Sequence, residues 1–204
     1  MVPHAFPLGI GWIEVVTGCM FSGKTEELIR RLNRARYATD KVKMFKPTID
    51  TRYAAEDVVS HSQFRFPCLP VPQSTDILHH VGDALVVGID EAQFFDAGLV
   101  EVCNRLANDK KRVVVAGLDQ DYQGQPFGPI PELLAVSEMI TKTHAVCMVC
   151  GAAANRTQRL IARQARVLLG ATETYEARCR LHWRPDAFDE EQTTLPLPSA
   201  TPAD

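Results

Sequence analysis

Trp12-Ile13-Glu14-Val15-Val16-Thr17-Gly18-Cys19-Met20-Phe21-Ser22-Gly23-Lys24-Thr25 decides the architecture. Its first six residues are β-branched, aromatic or apolar around one glutamate and stop at a glycine, which reads as a strand. The next eight fit G-x-x-x-x-G-K-[ST], and Leu28, Ile29, Leu32 and Ala35 then recur at helical spacing over 25–37. In such a strand–loop–helix unit the glycines let successive backbone N–H groups face inward onto phosphate oxygens, and the helix adds its positive dipole end. Lys24 is expected to reach the β- and γ-phosphates of a nucleoside triphosphate, and the Thr25 hydroxyl to ligate Mg²⁺. A chance match in a glycine turn would lack the flanking strand and helix.

Working outward, strands are expected at 42–45, 84–89, 112–117 and, less regularly, 139–146, with helices at 75–80 and 97–108. The runs A-L-V-V-G-I and R-V-V-V-A-G are apolar enough for central strands covered on both faces. This alternation predicts an α/β fold: a P-loop NTPase-type, mainly parallel sheet with helices on both faces. Ligands of such sheets bind beyond the carboxyl ends of the strands. Asp90 and Glu91 stand at one of those ends, directly after V-V-G-I. Asp90 is read as the magnesium-holding acid and Glu91 as a carboxylate placed to accept a proton from an attacking hydroxyl. A pair of this kind serves water activation in an ATPase as readily as alcohol activation in a kinase, and a solvated turn is the bland alternative.

After about residue 144 the texture changes. Cys147-Met148-Val149-Cys150 and Cys179-Arg180-Leu181-His182 form a C-x-x-C and a C-x-x-H separated by 28 residues. Two such half-sites suit a closed tetrahedral Cys₃His zinc shell. A redox C-x-x-C is the alternative, although no thioredoxin-like pattern surrounds it, and His144 competes with His182 as fourth ligand. The boundaries implied are an N-terminal tail at 1–10, the P-loop domain at 11–145, a small zinc lobe at 146–184 and an acidic, proline-rich, disordered tail at 185–204. Cys19, Cys68 and Cys103 are read as free thiols.

Composition is that of an ordinary globular chain: 204 residues, 46% hydrophobic, 23% charged, net charge -3. The acidic balance counts against a nucleic-acid-binding zinc ribbon. With no signal peptide, no membrane-length apolar run and no disulfide-like cysteine pattern, a cytoplasmic location is expected.

The phosphate loop, D-E-A-Q-F-F (90–95), G-L-D (117–119), P-F-G (126–128), both cysteine half-sites and A-T-E-T-Y-E-A-R-C-R-L-H (171–182) together resemble the cytosolic, type II thymidine kinases over about residues 10 to 184. The resemblance implies transfer of the ATP γ-phosphate to the 5′-hydroxyl of thymidine, with deoxyuridine a second acceptor. Glu91 is then the general base. Lys24 and Arg52, of D-T-R-Y, are the cationic catalytic groups, and Asp50 joins Thr25 and Asp90 around magnesium. ATP is held by Gly18, Cys19, Met20, Phe21, Ser22, Gly23, Lys24, Thr25, Asp90, Glu91, Ala92 and Gln93. Met20, Phe94, Leu118, Tyr122, Phe127, Thr157 and Tyr175 line the thymine pocket. A lasso over about 166–175, including Leu168, Leu169, Gly170 and Ala171, supplies backbone hydrogen bonds and is anchored by the zinc lobe. A homotetramer and feedback inhibition by thymidine triphosphate are also implied. Three positions depart from the family pattern: Ala171 in the lasso, Tyr122 for a commoner phenylalanine, and Cys19, expected to matter little because that position offers only backbone.

Overall fold

A computed structural model describes residues 9–49, 57–59, 65–161 and 174–185, with the backbone alone at 57–59 and at 65. Asp50, Arg52, Leu168, Leu169, Gly170 and Ala171 lie outside the described residues, as do most of both tails.

The leading strand β1 (Trp12–Thr17) and helix α1 (Lys24–Arg36) flank the glycine loop. There follow β2 (Val42–Pro47), the short strands β3 (Asp57–Val59), β4 (Arg65–Pro67) and β5 (Leu69–Val71), and helix α2 (Asp76–His80). Strand β6 (Val86–Ile89) leads through a 3₁₀ turn at Ala92–Phe94 to α3 (Leu99–Asn108), β7 (Arg112–Gly117), α4 (Ile130–Val136) and β8 (Met139–Lys142). Six strands form one sheet in the order β5-β2-β6-β7-β1-β8, and every pairing in it is parallel.

The sheet is covered on both faces, which is why its inner strands are apolar on both sides. One face packs Ile13, Val15, Phe45, Val87 and Ile89 against Ile77 of α2, Leu99 and Leu106 of α3, and Leu133 of α4. The other packs Val16, Val42, Met44, Val86 and Val114 against Leu28, Ile29 and Leu32 of α1. Gly88 interrupts its valine-rich run for a steric reason. A Cβ there would stand 2.5 Å from Leu32 Cδ1, so only glycine lets α1 lie this close to β6.

The strand expected at 139–146 divides. β8 ends at Lys142, and β9 (Ala145–Val146) leaves the sheet to pair with β10 (Ala153–Ala154). Beyond it β11 (Arg156–Arg159) pairs antiparallel with β12 (Tyr175–Arg178). Strands of two to four residues carry too little alternation to be read from sequence, and α4, opened by Pro129 and Pro131, is nearly as short.

One polar group is built into the sheet. Glu14, 3% exposed on β1, accepts hydrogen bonds from Trp12 Nε1 (2.8 Å), Arg31 Nη1 (2.8 Å) and Arg112 Nε (2.6 Å), tying α1 and β7 to the leading strand. Burial works to raise its pKa, but Arg112, Trp12 and Arg31 together hold it below the ordinary glutamate value. Its contribution is therefore present above that ordinary value and is lost as pH falls through the lowered one. Glu14→Gln leaves Arg112 without its counter-charge and Arg31 with Glu27 alone, at 2.8 Å. It is expected to cost about 3 kcal/mol of unfolding free energy in urea at neutral pH, with a smaller difference from wild type below pH 4.

Candidate active site

The glycine loop is shaped by two left-handed glycines, Gly18 (φ 145°) and Gly23 (φ 81°), and by Phe21 at φ 64°. At Gly18 a Cβ would meet Thr143 O at 2.4 Å, so the loop lies directly against the connection that leaves β8. Ser22 Oγ donates to Cys19 O (2.8 Å) and lies 2.8 Å from Thr143 Oγ1. Lys24 Nζ also donates to Cys19 O, at 2.8 Å. Helix α1 has no side-chain cap at its N-terminus, leaving its first N–H groups for an anion.

Facing the loop is the end of β6. Asp90, 4% exposed, lies with its carboxylate oxygens 3.2 and 3.4 Å from Thr25 Oγ1, which donates to them. Burial and the neighbouring Glu91 charge push Asp90 up to about 7. Burial pulls Lys24 down, opposed chiefly by Glu91. A hydroxyl beside a buried carboxylate is a hard-oxygen donor set suited to Mg²⁺, whose charge would relieve the strain on both acids.

Glu91 adopts the left-handed conformation (φ 49°, ψ 38°), a cost that a non-glycine residue bears only where its surroundings fix it. Gln93 does the fixing. Its Nε2 donates to Glu91 Oε2 at 2.5 Å while its Oε1 accepts the Leu118 N–H at 2.9 Å, bridging the ends of β6 and β7. Gly117 and Gly128 make room for it: added Cβ atoms would stand 2.9 Å from Gln93 Oε1 and 2.2 Å from Gln93 O. Phe94 and Phe127 meet edge-to-face at 5.6 Å beside this bridge. D-E-A-Q-F-F, G-L-D and P-F-G, dispersed in sequence, thus converge on one amide side chain.

The remaining expected pocket residues fall into two further contacts. Thr157 Oγ1 accepts the Met20 N–H at 3.1 Å. Tyr122 and Tyr175 both meet Arg159, whose guanidinium lies 3.6 Å over the Tyr122 ring and donates from Nη2 to the Tyr175 hydroxyl at 3.2 Å. Arg159 itself gave no sequence signal, because nothing marks one arginine among many as buried. Asp119 belongs to the G-L-D motif but no role is expected of it from sequence; it accepts from Lys142 Nζ at 2.5 Å.

Cys147, Cys150, Cys179 and His182 come together with all four ligand atoms within 4.8 Å of one another. Cys150 Sγ–Cys179 Sγ is 3.8 Å, and His182 Nδ1 lies 3.7 Å from Cys147 Sγ and 3.3 Å from Cys179 Sγ. Zinc with 2.3 Å sulfur and 2.0–2.1 Å nitrogen bonds requires tetrahedron edges of about 3.8 and about 3.6 Å, so the set fits that ion. Burial opposes ionisation of Cys147, but backbone N–H groups of Cys179, Val149 and Cys150 and the His182 ring bring it down to about 5. That favours the thiolate a metal needs. His144 is exposed and lies outside the cluster.

The lobe and the loop share a core. Cys19 packs with Ala145, Cys147, Ala154 and Ala177, with Phe21 and Cys179 against them. Cys19 Sγ also donates to Ala154 O at 3.4 Å. The expectation that position 19 offers only backbone is therefore corrected: its side chain, 3% exposed, docks the phosphate loop onto the metal lobe.

The sequence profile of the family described as thymidine kinase matches residues 11–183. The chain belongs to the thymidine kinase family. Relatives carrying that name include the thymidine kinase of Rhodothermus sp. (strain ITI 518), 54% identical over 193 residues, covering 94% of this chain and 91% of its own. That of Coprothermobacter proteolyticus is 57% identical over 178 residues, covering 84% and 90%. That of Bacteroides thetaiotaomicron is 52% identical over 170 residues, covering 83% and 85%. Among the described residues no helix is long and apolar enough to cross a membrane.

Two outcomes follow for a thymidine kinase built this way. Gln93→Leu keeps the volume but removes both bridging bonds, and should lower kcat by at least about tenfold while ATP affinity changes little, by steady-state kinetics and equilibrium binding. Cys147→Ser should lose bound metal by elemental analysis. It should weaken ATP binding as well as nucleoside binding, because Cys147 shares its core with Cys19 and Phe21.

Proposed function

We propose that the protein transfers the γ-phosphate of ATP to the 5′-hydroxyl of thymidine, giving thymidine monophosphate and ADP. The observation that carries this reading is the Glu91–Gln93–Leu118 bridge facing a phosphate loop in a chain of the thymidine kinase family. Residues 18–25 cradle the β- and γ-phosphates, and Lys24 exchanges its bond to Cys19 O for phosphate oxygens. Glu91, held by Gln93, takes the proton of the 5′-hydroxyl as its oxygen attacks the γ-phosphorus in line and ADP departs with the bonding pair. Mg²⁺, when bound at Thr25 and Asp90 with Asp50 as the further acid, neutralises charge on the β- and γ-phosphate oxygens. Arg52 adds a further cation to the phosphoryl group.

Thymine is read by Met20, Phe94, Leu118, Tyr122, Phe127, Thr157 and Tyr175, with backbone groups of Leu168, Leu169, Gly170 and Ala171. The Phe94–Phe127 pair and the Tyr122–Arg159–Tyr175 stack give this set aromatic surfaces for a flat base. Deoxyuridine, lacking one methyl group, is accepted with a modest penalty. Zinc in the Cys₃His cluster fixes the lobe that carries the lasso. Family membership extends the reading to a cytoplasmic homotetramer inhibited by thymidine triphosphate.

Incubation with labelled ATP, with and without thymidine, tests the reaction. Thymidine-dependent formation of the monophosphate is expected. ATP hydrolysis indifferent to thymidine would assign Glu91 to water activation and sink the kinase reading. Glu91→Gln should cut kcat by at least about 10²-fold with ATP binding nearly intact, and near-normal turnover would exclude Glu91 as the base.

A further inference from the structure

Lys46, next to last in β2, is 1% exposed, and its Nζ has no hydrogen-bond partner among the described residues. An ammonium removed from water without a partner is among the costliest arrangements a fold can hold. Strand alternation shows where it faces. Lys43 donates to His80 O of α2 at 2.8 Å, and Phe45 packs with Ile77 of α2, so these two residues point to the α2 face. Val42 and Met44 pack with Leu28 and Leu32 of α1, so Lys46 points to the α1 face.

The neighbouring strand gives its depth. On β6, Val86 packs in the α1 cluster and Gly88 lies under Leu32. Asp90, two residues further, faces the same way and meets Thr25 in the first turn of α1. β2 and β6 are parallel with Phe45 opposite Ile89, and Asp90 N donates to Phe45 O at 2.9 Å. Lys46 therefore stands one strand spacing from Asp90, about 4.8 Å, on the face and at the end of the sheet where the phosphate loop opens. No ion pair joins Lys46 to Asp90 and no hydrogen bond occupies its Nζ. Neutralising Asp90 is not its task.

We propose that Lys46 is a phosphate-binding residue, a second ammonium that contacts oxygens of the phosphoryl group in transfer from the side opposite Lys24. The inference rests on the phosphotransferase reading above. It places cations on two sides of a group that accumulates charge on its equatorial oxygens, where preorganised donors are most effective.

Lys46→Met, which keeps the length of the stem and removes the charge, separates this role from a structural one. Relief of the buried charge should leave the melting temperature unchanged or raised. The kcat should fall at least tenfold, and affinity should fall at least tenfold for a non-hydrolysable ATP analogue or for thymidine monophosphate, measured separately by calorimetry. The arm that weakens tells whether Lys46 holds the donor or the product phosphate. Lys46→Gln, polar but uncharged, should show the same kinetic loss. Wild-type kcat and wild-type affinity in both arms would overturn the proposal. So would a lowered melting temperature with activity falling only in step with the folded fraction. Failure of the wild-type protein to bind the ATP analogue would instead defeat the phosphotransferase reading itself.

Discussion

The parallel pairing of β6, β7 and β1 sets where each polar group of the site stands. With Thr17 opposite Gly117 and Ile89 opposite Val115, β1 and β7 end level and β6 two residues earlier, so Asp90, Gly117 and the glycine loop open at the carboxyl end of the sheet. Gln93 can bridge β6 to β7 because the adjacent carboxyl ends of these strands bring Glu91 and Leu118 within reach of a single amide. The packing beneath sustains the register: Gly88 admits Leu32, and α1 in turn delivers Thr25 to Asp90. A larger residue at 88 would displace the helix whose N-terminus forms the anion site. A substitution deep in the core would thus be felt as a change of phosphate geometry.

The metal lobe has a different physical basis. Its strands are two to four residues long, and its core is a few alanines, cysteines and one phenylalanine. So little apolar area cannot offset the entropy of ordering the chain, and an ion held by the Cys₃His cluster would supply what burial does not. Because Cys19 and Phe21 of the phosphate loop complete that core, lobe and loop are ordered together. Thr157 adds a directional bond to the same junction. These contacts join the phosphate loop to the lobe without passing through the main sheet.

Much of this was legible in the sequence because it is local. The strand–loop–helix unit, the two valine-rich strands, the acid pair and both cysteine half-sites are contiguous patterns, and each contains its own periodicity or spacing. What escaped notice is what only tertiary structure brings together. Gln93 is expected from the resemblance only as a residue holding ATP; its two bonds, which place it between strands, have no signature in sequence. Arg159 and Lys46 carry no pattern that separates a buried cation from a solvated one, since lysine and arginine are usually exposed. Cys19 was misjudged for a related reason: the motif describes what its backbone does and is silent about which way its side chain packs. The lobe strands escaped because they are shorter than the period needed to see them.

The site concentrates features that a stability-seeking fold would avoid. Glu91 sits in a left-handed conformation, Asp90 is buried beside it, Lys46 is a cation with almost no solvent and Lys24 a half-buried one. The contrast with Glu14 is instructive. That carboxylate is buried to a similar extent but meets two arginines and an indole, and its pKa falls. Asp90 is pushed up by burial and by a second acid, Glu91, and the Glu91 N–H, the Lys24 charge and the Thr25 hydroxyl do not offset them. Similar burial thus yields a well-paired group in the scaffold and a poorly compensated one in the site, because two arginines face Glu14 while a second acid faces Asp90. Groups left short of partners are those whose complement is a ligand, because a fully paired site would have to break internal bonds before binding anything. The unbalanced charges at the ends of β2 and β6 are therefore half of an interaction, and on the proposed function a metal-bound triphosphate would complete it.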